Sequence, residues 1–356
     1  MPAKGETTER NFDVAVVGAG IAGLASAWRA AQAGLSVVVL ERDHPGAGAS
    51  SVAAGMLAPV TEAEFGEDEL LRLNLESAAI WPAFAAELEQ STGLTTGYRA
   101  DGALAVAVDR DDAEELRRLH RLQCSLGLES QWLVPSAARA AEPGLAPRIA
   151  GAIEAPGEAQ VDPVAVIEAL LAATAAAGVE IRTGAPVRRD RDGGLGFGDH
   201  DIYADQIVIA AGAWSAELAD VRVHPVKGQL LHLRTRAGAP PLARRIIRTL
   251  RCYVVPRPDG RVVVGATTEE KGFDTSVDAG AVHRLLEAAW EVLPDVWELE
   301  FVDVIAGLRP ATPDNRPLIG RVSDRLIQAT GHYRNGILLA PLTARRVADE
   351  LTRVAA

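Results

Sequence analysis

Three glycines near the start of the chain have the spacing of a phosphate-binding turn. Gly18, Gly20 and Gly23 follow the pattern G-x-G-x-x-G. The first glycine permits a tight turn, the second lets the backbone approach a pyrophosphate, and the third lets a helix pack closely on a strand. The N-terminus of that helix would present free N–H groups and partial positive charge to the phosphates.

A carboxylate stands where such a site would bind a ribose. Glu41 ends the next apolar run, "LSVVVLE". Its two oxygens could accept hydrogen bonds from both hydroxyls of an adenosine ribose. The pattern therefore predicts a dinucleotide site and disfavours NADP, because a carboxylate repels a 2′-phosphate. It does not separate NAD from FAD.

A second group with chemical potential is an arginine between apolar strand residues and a proline. Arg309 follows the alternating run "LEFVDVIA" and precedes Pro310. Because proline cannot continue a regular ladder, we expect the strand to stop there and to leave Arg309 at the mouth of a sheet. Arg316, in the loop that follows, is expected to be solvated or to brace the loop.

The elements around these residues alternate between two patterns. A strand at 13–17, a helix closed by Gly34 and a strand ending at Glu41 form one βαβ unit. Asp162 and Pro163 open a second helix as N-cap and first residue. By contrast, the segments 221–233 and 252–264 have strands without long helices between them, which is typical of an antiparallel sheet.

This order predicts a mixed α/β (α+β) fold of two interleaved domains. We expect a Rossmann-like dinucleotide-binding domain from residues 12–85, 155–220 and 305–356. An antiparallel-sheet substrate domain is expected from residues 86–154 and 221–304. Residues 1–11 are polar and are expected to form a short disordered lead.

Composition excludes several classes of protein. The 356 residues carry a formal net charge of −12 and no basic stripe, which disfavours nucleic acid. The apolar stretch 14–40 is interrupted by glycines and polar residues, so a membrane span is not expected. The two cysteines and seven histidines have no metal-ligand spacing, and we expect no metal. Two cysteines and the lack of a secretory signal favour a reducing, cytoplasmic location.

Five further segments resemble one enzyme family. The stretch "GASSVAAGMLAP" after Glu41 is similar to the flavin-proximal loop of glycine oxidases, in the D-amino-acid oxidase and sarcosine oxidase superfamily. The segments "QVDP", "CYVVPRPDGRVVVGAT", "AGLRPATPDNRPLIG" and "GHYRNGILLAP" follow in that family's order. The resemblance covers nearly the whole chain.

The resemblance implies a non-covalent FAD, since neither cysteine falls in a matching segment. It assigns FAD contacts, together with the three glycines of the turn, to Ile21, Ala22, Glu41, Arg42, Ser50, Ser51, Ala54, Gly55, Met56, Val187, His332, Asn335, Gly336, Ile337 and Leu338. It gives Arg309 the substrate carboxylate, because a guanidinium fork binds that group through two parallel hydrogen bonds. Arg334 is implied as a second substrate contact, and Tyr253 as a pocket wall or hydroxyl donor.

The implied activity is oxidation of glycine, with sarcosine and small D-amino acids as further candidates. Hydride would pass from Cα of a neutral amine to flavin N5, leaving an imine, and dioxygen would become hydrogen peroxide. No histidine has a spacing that indicates a base. The resemblance also implies a role in thiamine thiazole biosynthesis and a homotetramer. A D-amino-acid dehydrogenase with another electron acceptor, or a non-catalytic flavin-binding subunit, stays open.

Overall fold

The computed structural model describes residues 10–189, 195–196 and 202–353. Within them lie eight α-helices: α1 (Ile21–Gln32), α2 (Asp68–Thr92), α3 (Arg110–Ser125), α4 (Pro135–Ala141), α5 (Pro163–Ala176), α6 (Ser215–Leu218), α7 (Ala279–Val292) and α8 (Ala340–Thr352). Short 3₁₀ turns occupy Gly212–Trp214, Pro294–Glu298 and Tyr333–Asn335.

The strands form two large sheets and two small ribbons. In chain order they are β1 (Arg10–Val17), β2 (Val37–Leu40), β3 (Met56–Leu57), β4 (Ala103–Ala107), β5 (Gln131–Leu133), β6 (Gly151–Ala155), β7 (Ala159–Gln160), β8 (Glu180–Arg182), β9 (Arg188–Arg189), β10 (Leu195–Gly196), β11 (Ile202–Ile209), β12 (His224–Arg234), β13 (Ile246–Arg248), β14 (Tyr253–Pro256), β15 (Arg261–Gly265), β16 (Glu300–Ala311), β17 (Leu318–Arg321) and β18 (Leu326–Thr330).

The first large sheet has the order β17-β18-β11-β1-β2-β8. Its strands are parallel except for β17, which pairs antiparallel with β18 at one edge. Val14 and Val16 are buried on the face that packs against α1, while Ala15 and Val38 are buried on the other face. Burial on both faces explains why β2 and residues 14–17 of β1 are apolar at every position and do not alternate.

The second large sheet has the order β16-β12-β15-β14-β13-β4-β6-β5 and is antiparallel apart from the β13–β4 pair. Successive side chains point to opposite faces. Leu231 and Val264 therefore pack with Leu285 of α7, whereas Leu230 and Val263 belong to a cluster on the opposite face. That second face borders the cavity described below.

Two expectations need correction. β16 does not stop at Pro310 but continues to Ala311, with Pro310 directly opposite Pro225 of β12. In an antiparallel ladder, alternate pairs of residues have their backbone nitrogens turned away from the partner strand. The two facing prolines occupy such a pair, so no hydrogen bond between β12 and β16 is lost. The expectation that the disordered lead extends to residue 11 is wrong, because Arg10 and Asn11 already pair within the first sheet. Residues 1–9 lie outside the described part of the chain.

The two-domain division remains a prediction, and its boundary at 304/305 falls inside β16. We propose that this boundary lies after Ala311 instead. Within the described residues, no helix is long and apolar enough to cross a membrane, and no group of three metal-binding side chains occurs. One of the seven histidines, His200, lies outside the described residues.

Candidate active site

A cavity of about 410 Å³ lies between the two large sheets. On one side it is lined by residues at the carboxyl ends of parallel strands, among them Val17, Leu40 and Ala210. On the other side Leu230 and Tyr253 of the antiparallel sheet line it. Ligands of open α/β sheets bind at the carboxyl ends of the strands, and this volume lies within the usual range of ligand pockets.

The glycine turn forms one end of the cavity. Gly18 has a φ of +105°, and a Cβ there would lie 2.5 Å from the carbonyl oxygen of Ala210. Gly23 faces the Gly18 carbonyl oxygen too closely for any side chain. Helix α1 begins at Ile21 with Gly20 as its N-cap and has no acidic residue in its first turn. The positive end of the helix therefore borders the cavity, and no acidic residue of the helix's own first turn offsets it.

Backbone donors hold the carboxylate of Glu41 beside this turn. Its Oε2 accepts the N–H of Ala19 at 2.8 Å, and its Oε1 accepts that of Asp43 at 3.0 Å. Ser50 Oγ accepts the N–H of Ile21 at 3.0 Å, which fixes the 48–56 loop against the start of α1. The loop, the turn and Glu41 thus form one connected wall.

A stack of three side chains continues that wall. The Arg42 guanidinium lies 3.6 Å from the centre of the Trp214 ring, which favours a cation–π interaction. Phe273 stacks on the same ring system at 5.5 Å between centroids. Arg42 and Trp214 both line the cavity.

At the opposite end, Arg309 extends from β16 over a glycine of β12. A Cβ on Gly228 would lie 2.5 Å from the Arg309 Cζ, so the guanidinium occupies the space that any side chain there would need. Arg309 Nη1 donates to the carbonyl oxygen of Thr267 at 2.9 Å. The guanidinium is thus held in one place on the cavity wall.

Tyr253 lies beside Arg309 and also rests on a glycine. A Cβ on Gly265 would lie 2.5 Å from the Tyr253 Cζ. Burial raises the pKa of Tyr253 to about 12, although the positive charge of Arg309 opposes that shift. The phenol therefore keeps its proton at neutral pH and can donate a hydrogen bond.

Two charged residues of the cavity lining, Glu62 and Arg334, each belong to an ion pair. Glu62 lines the cavity with its Oε1 3.6 Å from Arg248 Nε, and Arg334 pairs with Glu64. Burial acts to lower the pKa of Arg334, but the carboxylates of Glu62 and Glu64 outweigh it and raise that pKa above its usual value. Arg334 is therefore a permanent cation.

The segment 332–338 is fixed to neighbouring helices. His332 is buried, its Nε2 lies 2.9 Å from Thr343 Oγ1, and burial lowers its pKa to about 4. The Leu338 carbonyl oxygen accepts hydrogen bonds from Ser77 Oγ at 2.6 Å and Trp81 Nε1 at 2.9 Å. The neutral imidazole of His332 and the hydrogen bonds to the Leu338 carbonyl oxygen therefore hold this part of the cavity wall in place.

The structure brings most of the predicted residues to this cavity. Those that line it are Gly18, Gly20, Ile21, Ala22, Glu41, Arg42, Ser50, Ala54, Gly55, Met56, Val187, Tyr253, Arg309, His332, Arg334, Asn335, Gly336 and Ile337. Three predicted residues lie behind the lining. Gly23 supports helix packing, Ser51 Oγ donates to the Gly48 carbonyl oxygen at 3.4 Å, and Leu338 is buried in the core.

Several lining residues escaped the sequence reasoning. Gly228 and Gly307 line the cavity opposite each other on β12 and β16, and a Cβ on Gly307 would lie 2.9 Å from Val52 Cβ. A glycine inside a strand pattern is the signal that could have indicated such close approach. Glu62 lies in an irregular segment, and nothing in its local pattern indicated the cavity.

Comparisons with known proteins agree with this geometry. The family model described as DAO, FAD dependent oxidoreductase, matches residues 13–350. The glycine oxidase of Geobacillus kaustophilus (strain HTA426) is 38% identical over 96% of this chain and 93% of that protein. A bifunctional protein ThiO/ThiG from Trichormus variabilis is 36% identical over 95% of this chain, which spans 52% of that longer protein.

Solved structures give the same result. A crystal structure of glycine oxidase from Geobacillus kaustophilus matches with a TM-score of 0.88 and 36% identity, covering 96% of this chain and 95% of that one. Sequence and fold agree along nearly the whole chain, and the chain therefore belongs to the DAO family of FAD-dependent oxidoreductases.

Proposed function

We propose that this protein is an FAD-dependent amino-acid oxidase whose principal substrate is glycine. The overall reaction consumes glycine, dioxygen and water and yields glyoxylate, ammonia and hydrogen peroxide, with an imine as the first product. Sarcosine and small D-amino acids are further candidate substrates. The similarity to glycine oxidases over nearly the full chain supports this assignment.

One observation carries the proposal. A single cavity has the glycine turn and Glu41 at one end and the guanidinium of Arg309 at the other. The first end suits a dinucleotide and the second suits a small carboxylate. A dinucleotide that extends from the glycine turn across the cavity would therefore place its other end next to a molecule bound by Arg309.

The residues of the turn fit FAD. Gly18 permits the tight turn before α1, α1 presents its positive end, and Glu41 is oriented by two backbone N–H groups. Both cysteines lie away from the cavity lining: Cys124 is exposed on α3, and burial raises the pKa of Cys252 to about 11. These positions support a non-covalent cofactor.

Bound FAD would supply a two-electron acceptor for the hydride that leaves Cα of the substrate. Arg309 would bind the substrate carboxylate, since the carbonyl groups of Thr267 and Lys227 occupy its Nη1 side and leave other N–H groups available. The protonated hydroxyl of Tyr253 would donate a further hydrogen bond. His332 is buried against Thr343 and is not assigned as a base. The substrate amine would therefore lose its proton to solvent before hydride leaves Cα.

An anaerobic titration tests the proposal. Purified protein with bound FAD is mixed with glycine, sarcosine and D-alanine in turn while the flavin absorbance is recorded. We expect glycine to bleach the flavin band and air to restore it with one peroxide per turnover. Bleaching reversed by a dye but not by air would indicate a D-amino-acid dehydrogenase. A band unchanged by all three would indicate a non-catalytic flavin-binding subunit.

Three finer assignments belong to the same proposal. Similarity to a bifunctional ThiO/ThiG protein supports a role in thiamine thiazole biosynthesis, in which the imine passes to a thiazole synthase. A cytoplasmic location is supported by two free cysteines. A homotetramer is proposed from the family resemblance, and sedimentation of the purified protein tests it.

A further inference from the structure

The segment 266–278, called here the strap, connects β15 to α7. It is irregular apart from one isolated bridge, in which Glu269 pairs with Lys227 of β12. Near its start, the Thr267 carbonyl oxygen accepts the N–H of Arg309 Nη1 at 2.9 Å. The orientation of the guanidinium therefore depends on what holds the strap in place.

A fully buried amide holds both ends of the strap. Gln229 on β12 has no exposed surface, and its Nε2 donates to Glu269 Oε1 at 2.8 Å and to Asp278 Oδ2 at 2.9 Å. Its Oε1 accepts the N–H of Asp278 at 3.0 Å. Both amide hydrogens and the side-chain carbonyl oxygen are used, so any shift of the strap leaves a buried polar group without a partner, which is unfavourable.

The same residue is linked directly to the carbonyl that Arg309 contacts. Thr267 N–H donates to the Gln229 carbonyl oxygen at 3.1 Å, and Gln229 N–H donates to Thr267 Oγ1 at 2.9 Å. Thr267 Oγ1 in turn donates to Glu269 Oε1 at 2.6 Å. A continuous chain of hydrogen bonds thus runs from the Gln229 amide through Glu269 and Thr267 to Arg309.

A buried cation secures the middle of the strap. Lys227 is 1% exposed, and its Nζ lies 2.9 Å from Asp274 Oδ2, which holds the pKa of Asp274 below its usual range. Lys227 and Gln229 point to one face of β12, and Gly228 between them leaves the opposite face open for Arg309. One strand therefore anchors the strap and supports the guanidinium.

We propose that Gln229 is a positioning residue for Arg309, acting through the strap to fix the Thr267 carbonyl that orients the guanidinium. Gln229 lies behind the strand and does not line the cavity. This inference rests on the proposed function, in which Arg309 binds the substrate carboxylate.

The test compares Gln229→Met, which keeps the side-chain volume and removes the amide, with Gln206→Met as a matched control. Gln206 donates to the Leu351 carbonyl oxygen at 3.2 Å and accepts from Arg321, away from the cavity. We expect Gln229→Met to raise the KM for glycine roughly tenfold, which is the factor that corresponds to the loss of one charged hydrogen bond. The change in kcat should be much smaller. The control should keep the wild-type KM.

A second readout excludes a general loss of stability. Acetate, a carboxylate without an amine, is titrated into the enzyme with bound FAD while the flavin spectrum is followed. Gln229→Met should weaken acetate binding by a factor similar to the rise in KM. Unchanged acetate binding with a lowered melting temperature would show a merely structural role and overturn the inference.

A double-mutant cycle separates this inference from the function on which it rests. If Gln229 acts through Arg309, adding Gln229→Met to Arg309→Lys should change the KM little further, whereas multiplied effects would overturn the inference. If Arg309→Lys raises the KM and Gln229→Met does not, the inference alone fails. If Arg309→Lys leaves the KM unchanged, the carboxylate assignment fails.

Should Gln229→Met not fold, Thr267→Val at a half-buried position removes the same link and should weaken acetate binding.

Discussion

The guanidinium group of Arg309 occupies the space where a side chain on Gly228 would lie. The two residues belong to neighbouring strands, β16 and β12, and a Cβ on Gly228 would come 2.5 Å from the Arg309 Cζ. This contact, with the hydrogen bond to Thr267, fixes the position of the guanidinium on the cavity wall. Five predictions follow from this geometry and its surroundings.

Gly228→Ala should displace Arg309 without affecting the dinucleotide end. We expect retained FAD and a kcat/KM for glycine lowered at least about tenfold, because the charged hydrogen bonds of a guanidinium are each worth roughly 1.5–3 kcal/mol. Steady-state kinetics and the flavin content measure both. Gly157→Ala is the matched control, since a Cβ there would meet its nearest neighbour at 3.9 Å. Wild-type kinetics for Gly228→Ala would contradict the proposed placement.

Arg309→Ala should stay yellow and lose most of its turnover, because the flavin and carboxylate sites lie at different ends of the cavity. Arg309→Lys should also lose activity, since a point charge cannot form two parallel hydrogen bonds. Oxygen uptake with glycine and the visible spectrum provide the measurements. Normal glycine oxidation by Arg309→Ala would refute the carboxylate assignment.

Tyr253→Phe should raise the KM for glycine, by up to about tenfold if its hydroxyl bonds the charged carboxylate. The pKa of Tyr253 is raised to about 12, so the hydroxyl stays protonated across the working range. The pH profile of kcat/KM should therefore be the same for wild type and variant up to about pH 10. A limb near neutral pH that disappears in Tyr253→Phe would show that this phenol titrates during catalysis.

Gly18→Ala should impair FAD binding. The substitution combines a φ of +105° with a Cβ 2.5 Å from the Ala210 carbonyl oxygen. Gly34→Ala is the matched control, because Gly34 also has a left-handed φ, +87°, but open space around it. We expect both variants to lose some stability and Gly18→Ala alone to lose FAD affinity, measured by flavin fluorescence on titration. Equal FAD affinity in the two variants would contradict a role of the turn at Gly18 in FAD binding.

Glu158 should make folding stability depend on pH. This fully buried carboxyl accepts hydrogen bonds from Val60 N at 2.8 Å and from Thr61 N at 2.6 Å, yet burial raises its pKa to about 7. A raised pKa means that the folded protein binds the proton more tightly than the unfolded chain does. Its contribution to stability is therefore complete below about pH 4.5 and is lost as the pH rises through 7.

Glu158→Gln tests that dependence. As the pH rises through 7, the free energy of unfolding of the wild type should fall by on the order of 3 kcal/mol. Glu158→Gln, which carries an isosteric amide, should not show this fall. Denaturant unfolding at pH 5 and pH 8 measures the change in the free energy of unfolding, with Glu114→Gln at an exposed position as control. Parallel pH profiles for wild type and Glu158→Gln would show that the carboxyl is ionised throughout this range.

The sequence predicted local features well where short-range physics decides them. The N-cap of α5 is one example: Asp162 accepts the N–H of Val164 at 3.1 Å, as the Asp-Pro pair indicated. Prediction from the sequence failed where the residues that contact an element are distant from it in the chain. Pro310 is tolerated since its partner in β12 is also a proline.

The dinucleotide end of the cavity was determined by the sequence itself. Gly18, Gly23 and Glu41 act within one βαβ unit, so their spacing along the chain already defines their spacing in the fold. The substrate end was decided by the tertiary structure. Arg309, Gly228 and Tyr253 come from three strands that are distant in the chain, and they meet because sheet register places glycines beneath the two larger side chains. Strand register is a long-range property, and no local pattern encodes it.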